Sequence, residues 1–347
     1  EAFRIRQPRR LPYGLFRWLS GRQASRHLLP ALRQHDPASF ERLEGLAEGA
    51  GLGLNALALM NSLEPLLSST ADSTAVSPPL GGCSAVAVTG DRSAGGEPVI
   101  ARNFDYLPLI QPFYTVRDSR PFGRNRSLEF TVAPLAGAID GVNEHGLVIT
   151  YNYAFATDTP QAAPPLSMLI AEALGTCRSV NEAAELLSSR PRWGAGMLML
   201  ADSGGDLASL ELSHTRAGLR RPGPGEDLVF HSNQYSTDRL RQVEVADDAV
   251  YSDAAPTPLR GCSVLESSRR RDARFSDLLT ASRPLDADDL ALLLADHGET
   301  GKPDDGTLCM HGDYWTTTAC LQWFPRSRRV RLSYSSACQA DFVELTL

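Results

Sequence analysis

Two adjacent glycines stand directly before a cysteine, Gly81-Gly82-Cys83, and the cysteine opens an apolar stretch from Ser84 to Thr89. Glycines carry no Cβ, so the peptide ahead of Cys83 can be strained and closely approached by the neighbouring thiol. An N-to-S acyl shift followed by thioester hydrolysis needs both properties. Scission there makes Cys83 a new N-terminus that carries nucleophile and base in one residue. The thiol attacks, and the freed α-amino group, with an ordinary pKa of about 7.7–8.0, takes the proton. The plainer reading of the same tripeptide is a Gly-Gly turn leading into a strand that holds a buried free cysteine.

The surrounding chain suits the first reading. Residues 68–82 are small, polar and proline-bearing, the composition of an exposed linker that would present the bond. Upstream, Leu43, Leu46, Ala47, Leu54, Leu57, Leu59, Met60, Leu63 and Leu66 recur at three and four, which predicts helix. Gly49, Gly51 and Gly53 follow a helical pattern rather than a strand, so they read as a helix end and turn, not a dinucleotide loop. After Cys83 the pattern changes to strands at Ala85–Thr89 and Pro98–Asn103, a hairpin, and then at Gly137–Asp140, Gly146–Tyr153, Met197–Ala201 and Ala208–Leu212. Helices fit Leu166–Leu174, Val180–Leu187, Ser267–Leu279 and Ala287–Leu294, and strands return at Thr316–Phe324, Arg329–Tyr334 and Phe342–Leu345. Strands, then helices, then strands predict an α+β body of stacked sheets covered by helices.

Charge and cysteine content narrow the partners. The chain of 347 residues holds 34 Lys and Arg against 41 Asp and Glu, a net charge of −7, and its basic residues are scattered except at Arg269-Arg270-Arg271. That run reads as a solvated helix face, and nucleic acid is not an expected partner. Six cysteines, at 83, 177, 262, 309, 320 and 338, are too dispersed for a disulfide framework and are expected to be mostly reduced. No apolar run is long enough for a membrane span. A first residue of Glu1 rather than Met points to trimming, and localisation leans to the cytoplasm with secretion or the periplasm left open. Cys309, His311, Asp296 and His297 invite a metal reading, but Cys-x-His lacks the usual spacing of zinc ligands, so no metal and no cofactor are expected. Gly298 to Lys302 lacks the frame of a phosphate loop.

The next motif is Arg102-Asn-Phe-Asp105, at the end of the returning hairpin strand. A hairpin lays its second strand beside the first, which brings Arg102 and Asp105 next to Cys83. The chain here resembles the autoproteolytic N-terminal-nucleophile cysteine hydrolases, the group of isopenicillin N acyltransferase, with bile-salt hydrolases and acid ceramidase as more distant relatives. The resemblance is carried by Glu41 to Ala50 with Leu59–Glu64, by Gly82-Cys83, by Arg102 to Asp105, and by Gly141-Val-Asn-Glu-His-Gly146 leading to Tyr151-Asn152-Tyr153. It continues through His231-Ser-Asn233, Ser267-Ser-Arg269, Asp296-His297, Cys309-Met-His311 and Thr316-Thr-Thr318. The order is collinear from about residue 40 to the C-terminus.

That resemblance implies a four-layer αββα sandwich with residues 1–82 as a helical pro-segment and 83–347 as the catalytic domain, the two fragments staying together after self-cleavage. It also implies roles. Cys83 is the nucleophile for processing and turnover; Asp105 orients the freed amine, with Arg102 nearby. Asn233 and Asn152 offer uncharged donors to an oxyanion, and Arg269, with Ser268, anchors a carboxylate or supports the site. Trp193, Tyr106, Tyr153 and Tyr235 are candidates to line a pocket. The implied activity is cleavage of a linear amide of a small N-acyl substrate through a thioester, the acyl group passing to water or to an amine. The competing class is an uncleaved, non-enzymatic module that only holds a small molecule.

Overall fold

The computed structural model describes residues 12–63, 65, 81–253, 255–280 and 283–347, so most of the expected linker, residues 68–80, lies outside the described residues. Among the described residues three helices come first: α1 (Tyr13–His35), α2 (Pro37–Ala50) and α3 (Leu54–Asn61). The glycine reading holds here, because α2 ends at Gly51, whose φ of 61° is the left-handed cap that glycine adopts without a Cβ penalty.

Among the described residues thirteen strands follow in two antiparallel sheets. One sheet contains β1 (Gly81–Val88), β2 (Val99–Tyr106), β10 (Leu228–His231), β11 (Thr316–Phe324), β12 (Arg329–Ser333) and β13 (Val343–Thr346), in the order β10-β1-β2-β11-β12-β13. The other runs in sequence order: β3 (Tyr114–Ser119), β4 (Ser127–Val132), β5 (Asp140–Asn143), β6 (Val148–Tyr153), β7 (Gly196–Ala201), β8 (Leu207–Leu212) and β9 (Ala217–Arg220). Helices α4 (Leu166–Thr176) and α5 (Val180–Ser189) cover the second sheet. After the single turn α6 (Asp238–Arg241), α7 (Glu266–Leu278) and α8 (Ala287–Leu294) cover the first. The result is the expected α+β sandwich of four layers.

Strand alternation sorts each residue of the hairpin to a face. Cys83, Ala85 and Ala87 on β1, with Ile100 and Phe104 on β2, point between the sheets into a core shared with Val148, Leu198 and Leu210. Val86, Val88, Val99 and Ala101 point the other way, against Phe275, Leu290 and Leu294 of the covering helices. The first sheet is therefore apolar on both faces. The N-terminal helices form a third apolar cluster, in which Leu28, Leu32, Leu43 and Leu57 pack with Ala136, Ala163, Met168 and Trp193. Arg42 reinforces that seam by donating to the Ala136 carbonyl at 3.0 Å and to Ser119 Oγ at 3.0 Å.

The structure departs from the sequence reading in three places, the first of them the turn of the plainer reading of Gly81-Gly82. Gly81 and Gly82 do not form a turn; they belong to β1, paired opposite Tyr106 and Asp105. The strand expected at Gly137–Asp140 begins only at Asp140, because Gly137 packs against the backbone of Ser167 at the start of α4 and Ala138 N–H donates to the Ser167 carbonyl at 2.8 Å. Strands β3 and β4 are absent from the expected set, although Ser127–Val132 alternates polar and apolar residues. Glu129 is buried among Arg117, Arg42 and Ser127, which accounts for its charge at an inward position.

Candidate active site

Cys83 lies near the start of β1 with Phe104 of β2 opposite it, so Asp105 and Arg102 flank it on the neighbouring strand. The odd separation of those two residues sends them to opposite faces of the sheet. Arg102 shares the inter-sheet face with Cys83, is fully buried, lies 5.1 Å from the ring of Phe104 and forms an ion pair with Asp140 of β5 on the facing sheet. Asp105 turns toward the helical layer, where Thr317 Oγ donates to its carboxylate at 2.5 Å. The hairpin thus surrounds one cysteine with a cation on one face and a carboxyl on the other.

The turn after β10 supplies the third contact. Asn233 Oδ1 accepts the Cys83 backbone N–H at 2.8 Å, and its amide nitrogen donates to the Tyr153 carbonyl at 2.7 Å. The nitrogen that would become the α-amine after scission is therefore already held by a side chain. Asn152 stands one step further out, its amide donating to the Ser232 carbonyl at 3.1 Å. In this geometry it braces the turn that carries Asn233.

The arginine at the site is Arg271, not Arg269. Buried on α7, Arg271 donates to the Cys83 carbonyl at 2.6 Å, to Ser84 Oγ at 3.0 Å and to Asn233 Oδ1 at 2.9 Å. Arg269 is part of an outward ion pair with Asp247, and Arg270 pairs with Asp304. The run Arg269–Arg271 is thus only partly a solvated face. At about 100° per residue, positions two apart lie on opposite sides of a helix, so only one of Arg269 and Arg271 can reach the sheet. The signal present in the sequence was the phase of Ser268, Arg271 and Phe275, which are the buried residues of α7.

Burial governs the ionisation of these groups. It pushes the Cys83 thiol up to about 11, with Arg102 drawing it down and Asp105 raising it. It pushes the Asp105 carboxyl up to about 7, against the opposing pull of Arg271, Thr317 and Arg102. His231 on β10, beside Ser209 of β8, is held well below the usual histidine range by burial and the charges of Arg220 and Arg102. In the uncut chain a thiolate is scarce near neutrality, and a group that takes the thiol proton has to be supplied.

The Asp105 shift has a measurable consequence. A carboxyl that keeps its proton up to about 7 in the fold, against 3.8 ordinarily, makes the folded chain bind more protons than the unfolded one between those values. The associated stability is complete below the unfolded value and is lost as pH rises through about 7, on the order of a few kcal/mol. In an uncut Cys83→Ala background, the fall of Tm between about pH 4 and about pH 8 is expected to be shallower when Asp105 is Asn. Parallel melting curves for the two proteins across that range contradict the assignment.

Beside the thiol opens a cavity of about 1110 Å³. Its walls include Phe104, Ile139, Tyr151, Leu166 and Trp193, with Trp18 and Leu59 contributed by the N-terminal helices. Among the described residues, Arg17 is the one charged side chain on its lining. Of the aromatic candidates, Tyr106, Tyr153 and Trp193 line it, whereas Tyr235 lies in a separate cluster and donates to the Leu212 carbonyl at 2.8 Å. A thiol at the wall of an apolar chamber is a setting that suits an acyl group better than a charged one.

The family model described as acyl-coenzyme A:6-aminopenicillanic acid acyl-transferase matches residues 92–319, a span that includes Arg102, Asp105, Asn152, Asn233 and Arg271. No curated protein sequence matches the chain. Among solved structures, a Caenorhabditis elegans N-acylethanolamine-hydrolyzing acid amidase ortholog superimposes at a TM-score of 0.49 with 12% identity, over 76% of this chain and 100% of that one. A conjugated bile acid hydrolase from Clostridium perfringens gives 0.46 and 13%, over 76% and 92%. A penicillin V acylase from Agrobacterium tumefaciens gives 0.42 and 10%, over 76% and 86%.

Proposed function

Since the chain belongs to the acyl-coenzyme A:6-aminopenicillanic acid acyl-transferase family, an enzyme family acting on amides, we propose that it is a self-processing cysteine amidase with Cys83 as its nucleophile. The observation that carries this reading is the convergence of Arg271 and Asn233 on the Cys83 backbone, Asn233 at the nitrogen of the peptide to be cut and Arg271 at the Cys83 carbonyl and at Asn233 itself.

Processing begins when the Cys83 sulfur attacks the Gly82 carbonyl carbon. The Gly82–Cys83 C–N bond breaks, the thiol proton passes to the departing nitrogen, and a thioester joins Gly82 to the sulfur. Water then hydrolyses the thioester, giving a carboxylate at Gly82 and a free thiol beside a free α-amine. A Cβ on Gly82 would stand 3.5 Å from Arg271 Nη2 and 3.6 Å from Asn233 Oδ1, so the scissile residue is already wrapped by the groups that hold the new terminus. Residues 1–82 then become a separate fragment, retained by the apolar cluster and by Arg42.

In turnover the amine takes the thiol proton and the sulfur attacks the substrate amide carbon. The protonated amine returns its proton to the leaving amine, and the acyl group stays on sulfur as a thioester. Water, or an acceptor amine, releases it. An amide nitrogen carries two hydrogens, and the bond to Tyr153 leaves one on Asn233 for the developing oxyanion. Arg102, held by Asp140, supplies positive charge to the thiolate on the inter-sheet face, while Asp105 and Arg271 set the charge around the amine.

The substrate class follows from the cavity: a linear amide whose acyl part is long or bulky and uncharged. For N-acyl amides of rising chain length, kcat/KM is expected to climb about fourfold per methylene, from about 0.8 kcal/mol of burial each, until the chamber is full. Amine release from a homologous acyl series checks this. A flat series, or a preference for charged acyl groups, contradicts it.

A further inference from the structure

Away from the nucleophile, the fold gathers four donors from three separate segments. His297 follows the end of α8, Cys309 and His311 lie in the approach to β11, and Cys338 lies in the turn Ala337–Gln339 after β12. One ligand atom from each of the four lies within 4.8 Å of the others. Local sequence spacing does not announce this set, because its fourth member is brought in by the fold from beyond β12. Asp296, which the sequence suggested as a member, is committed elsewhere: its carboxylate pairs with Arg274 at 2.7 and 2.8 Å and accepts the Gly298 N–H.

We propose that His297, Cys309, His311 and Cys338 form a Cys2His2 site for a thiophilic divalent metal, zinc in the first instance. Tetrahedral zinc with Zn–S of about 2.3 Å and Zn–N of about 2.0–2.1 Å sets its sulfur and nitrogen ligands about 3.5 Å apart. The His311 Nε2 lies 3.4 Å from Cys309 Sγ and 3.3 Å from Cys338 Sγ, the separation such a centre requires. The rings of His297 and His311 meet edge to face with centroids 5.2 Å apart, and His297 Nε2 is buried without a hydrogen-bond partner. Two sulfurs and two imidazoles suit zinc over the hard oxygen-seeking cations. With four protein donors no position remains for a substrate or a catalytic water, so the site is structural.

Its place in the fold gives it something to hold. Leu294, Leu308, Cys309 and Ala337 are all buried in the core beneath α8, and Asn103 of β2 donates to the carbonyls of Leu294 at 2.8 Å and Leu308 at 2.7 Å. The segment continuing from Cys309 leads into the candidate active site. Met310 N–H donates to Thr317 Oγ at 2.8 Å, and Thr317 donates to Asp105. A metal here pins the C-terminal turn to the segment that orients Asp105. This proposal does not depend on Cys83 being the nucleophile.

The test uses the untagged full-length chain, purified under reducing conditions, dialysed and assayed for metal by mass spectrometry. One zinc per chain is expected, retained in Cys83→Ala and lost from the double variant Cys309→Ser with Cys338→Ser. Because that variant can misfold, the wild-type chain loaded with cobalt(II) gives a second reading: thiolate-to-cobalt charge transfer with the intense visible bands of tetrahedral geometry. Zinc at full stoichiometry in the double variant overturns the assignment. A reduced wild-type chain that takes up neither zinc nor cobalt, or one isolated metal-free with Cys309 joined to Cys338, overturns it as well.

Discussion

Cys83→Ala is expected to leave one uncut chain and to abolish amide turnover, a loss on the order of 10⁶ in kcat, as for removal of the nucleophile in other hydrolases. Both losses trace to one atom, because in the proposed mechanism the sulfur that opens the Gly82–Cys83 peptide also attacks the substrate. Alanine removes little volume at a residue already buried between the sheets, so the variant should fold and keep the strand register of Gly82 opposite Asp105. Its thermal unfolding and secondary structure should match those of the parent before processing. Gel mobility and amine release from an N-acyl amide measure the two consequences separately. A Cys83→Ala chain that is still cut in purified form, or still turns over, removes the nucleophile assigned here.

Arg271→Leu is expected to slow both processing and turnover by about 10²-fold, whereas Arg269→Leu should change them less than about twofold. The reasoning is local. Arg271 supplies charged hydrogen bonds to the Cys83 carbonyl and to Asn233 Oδ1, and it is the largest influence holding the Asp105 carboxyl down against burial. Losing a charged donor in such a setting costs about 1.5–3 kcal/mol, and the asparagine that holds the Cys83 N–H loses its second anchor. Arg269 pairs with Asp247 at the surface, where an ion pair contributes about 0–1 kcal/mol. Single-turnover processing and steady-state rates for the two variants distinguish a site arginine from a surface one. Equal effects at 269 and 271 contradict the helix phase seen here.

Much of this arrangement could be read from residue order, for reasons that differ by residue. Cys83, Arg102 and Asp105 were accessible because a single hairpin connects them, and hairpin register follows from period-two patterning over a short span. The N-terminal helices were accessible because their leucines keep a three-and-four rhythm. Arg271 was obscured by its own neighbours: three consecutive arginines look like a solvated surface until the helix phase is fixed by Ser268 and Phe275. In β4 the residues Ser127–Val132 alternate polar and apolar, and the buried Glu129 on the polar phase is met by Ser127, by Arg117 on the paired strand and by Arg42 of α2, of which only the Arg42 contact is distant in sequence. The metal donors were split by the chain itself, since Cys338 reaches His311 only after β11 and β12 have formed. Contacts made within one hairpin or helix leave a mark in local sequence. Contacts assembled by the two-sheet packing do not.

The direct measurement is the intact mass of freshly purified wild-type protein under denaturing conditions, with the N-terminal sequence of the larger fragment. The account predicts two polypeptides that co-purify, the larger beginning with Cys83-Ser84-Ala85. A single unbroken chain that nonetheless cleaves N-acyl amides, or a break at any other bond, contradicts it.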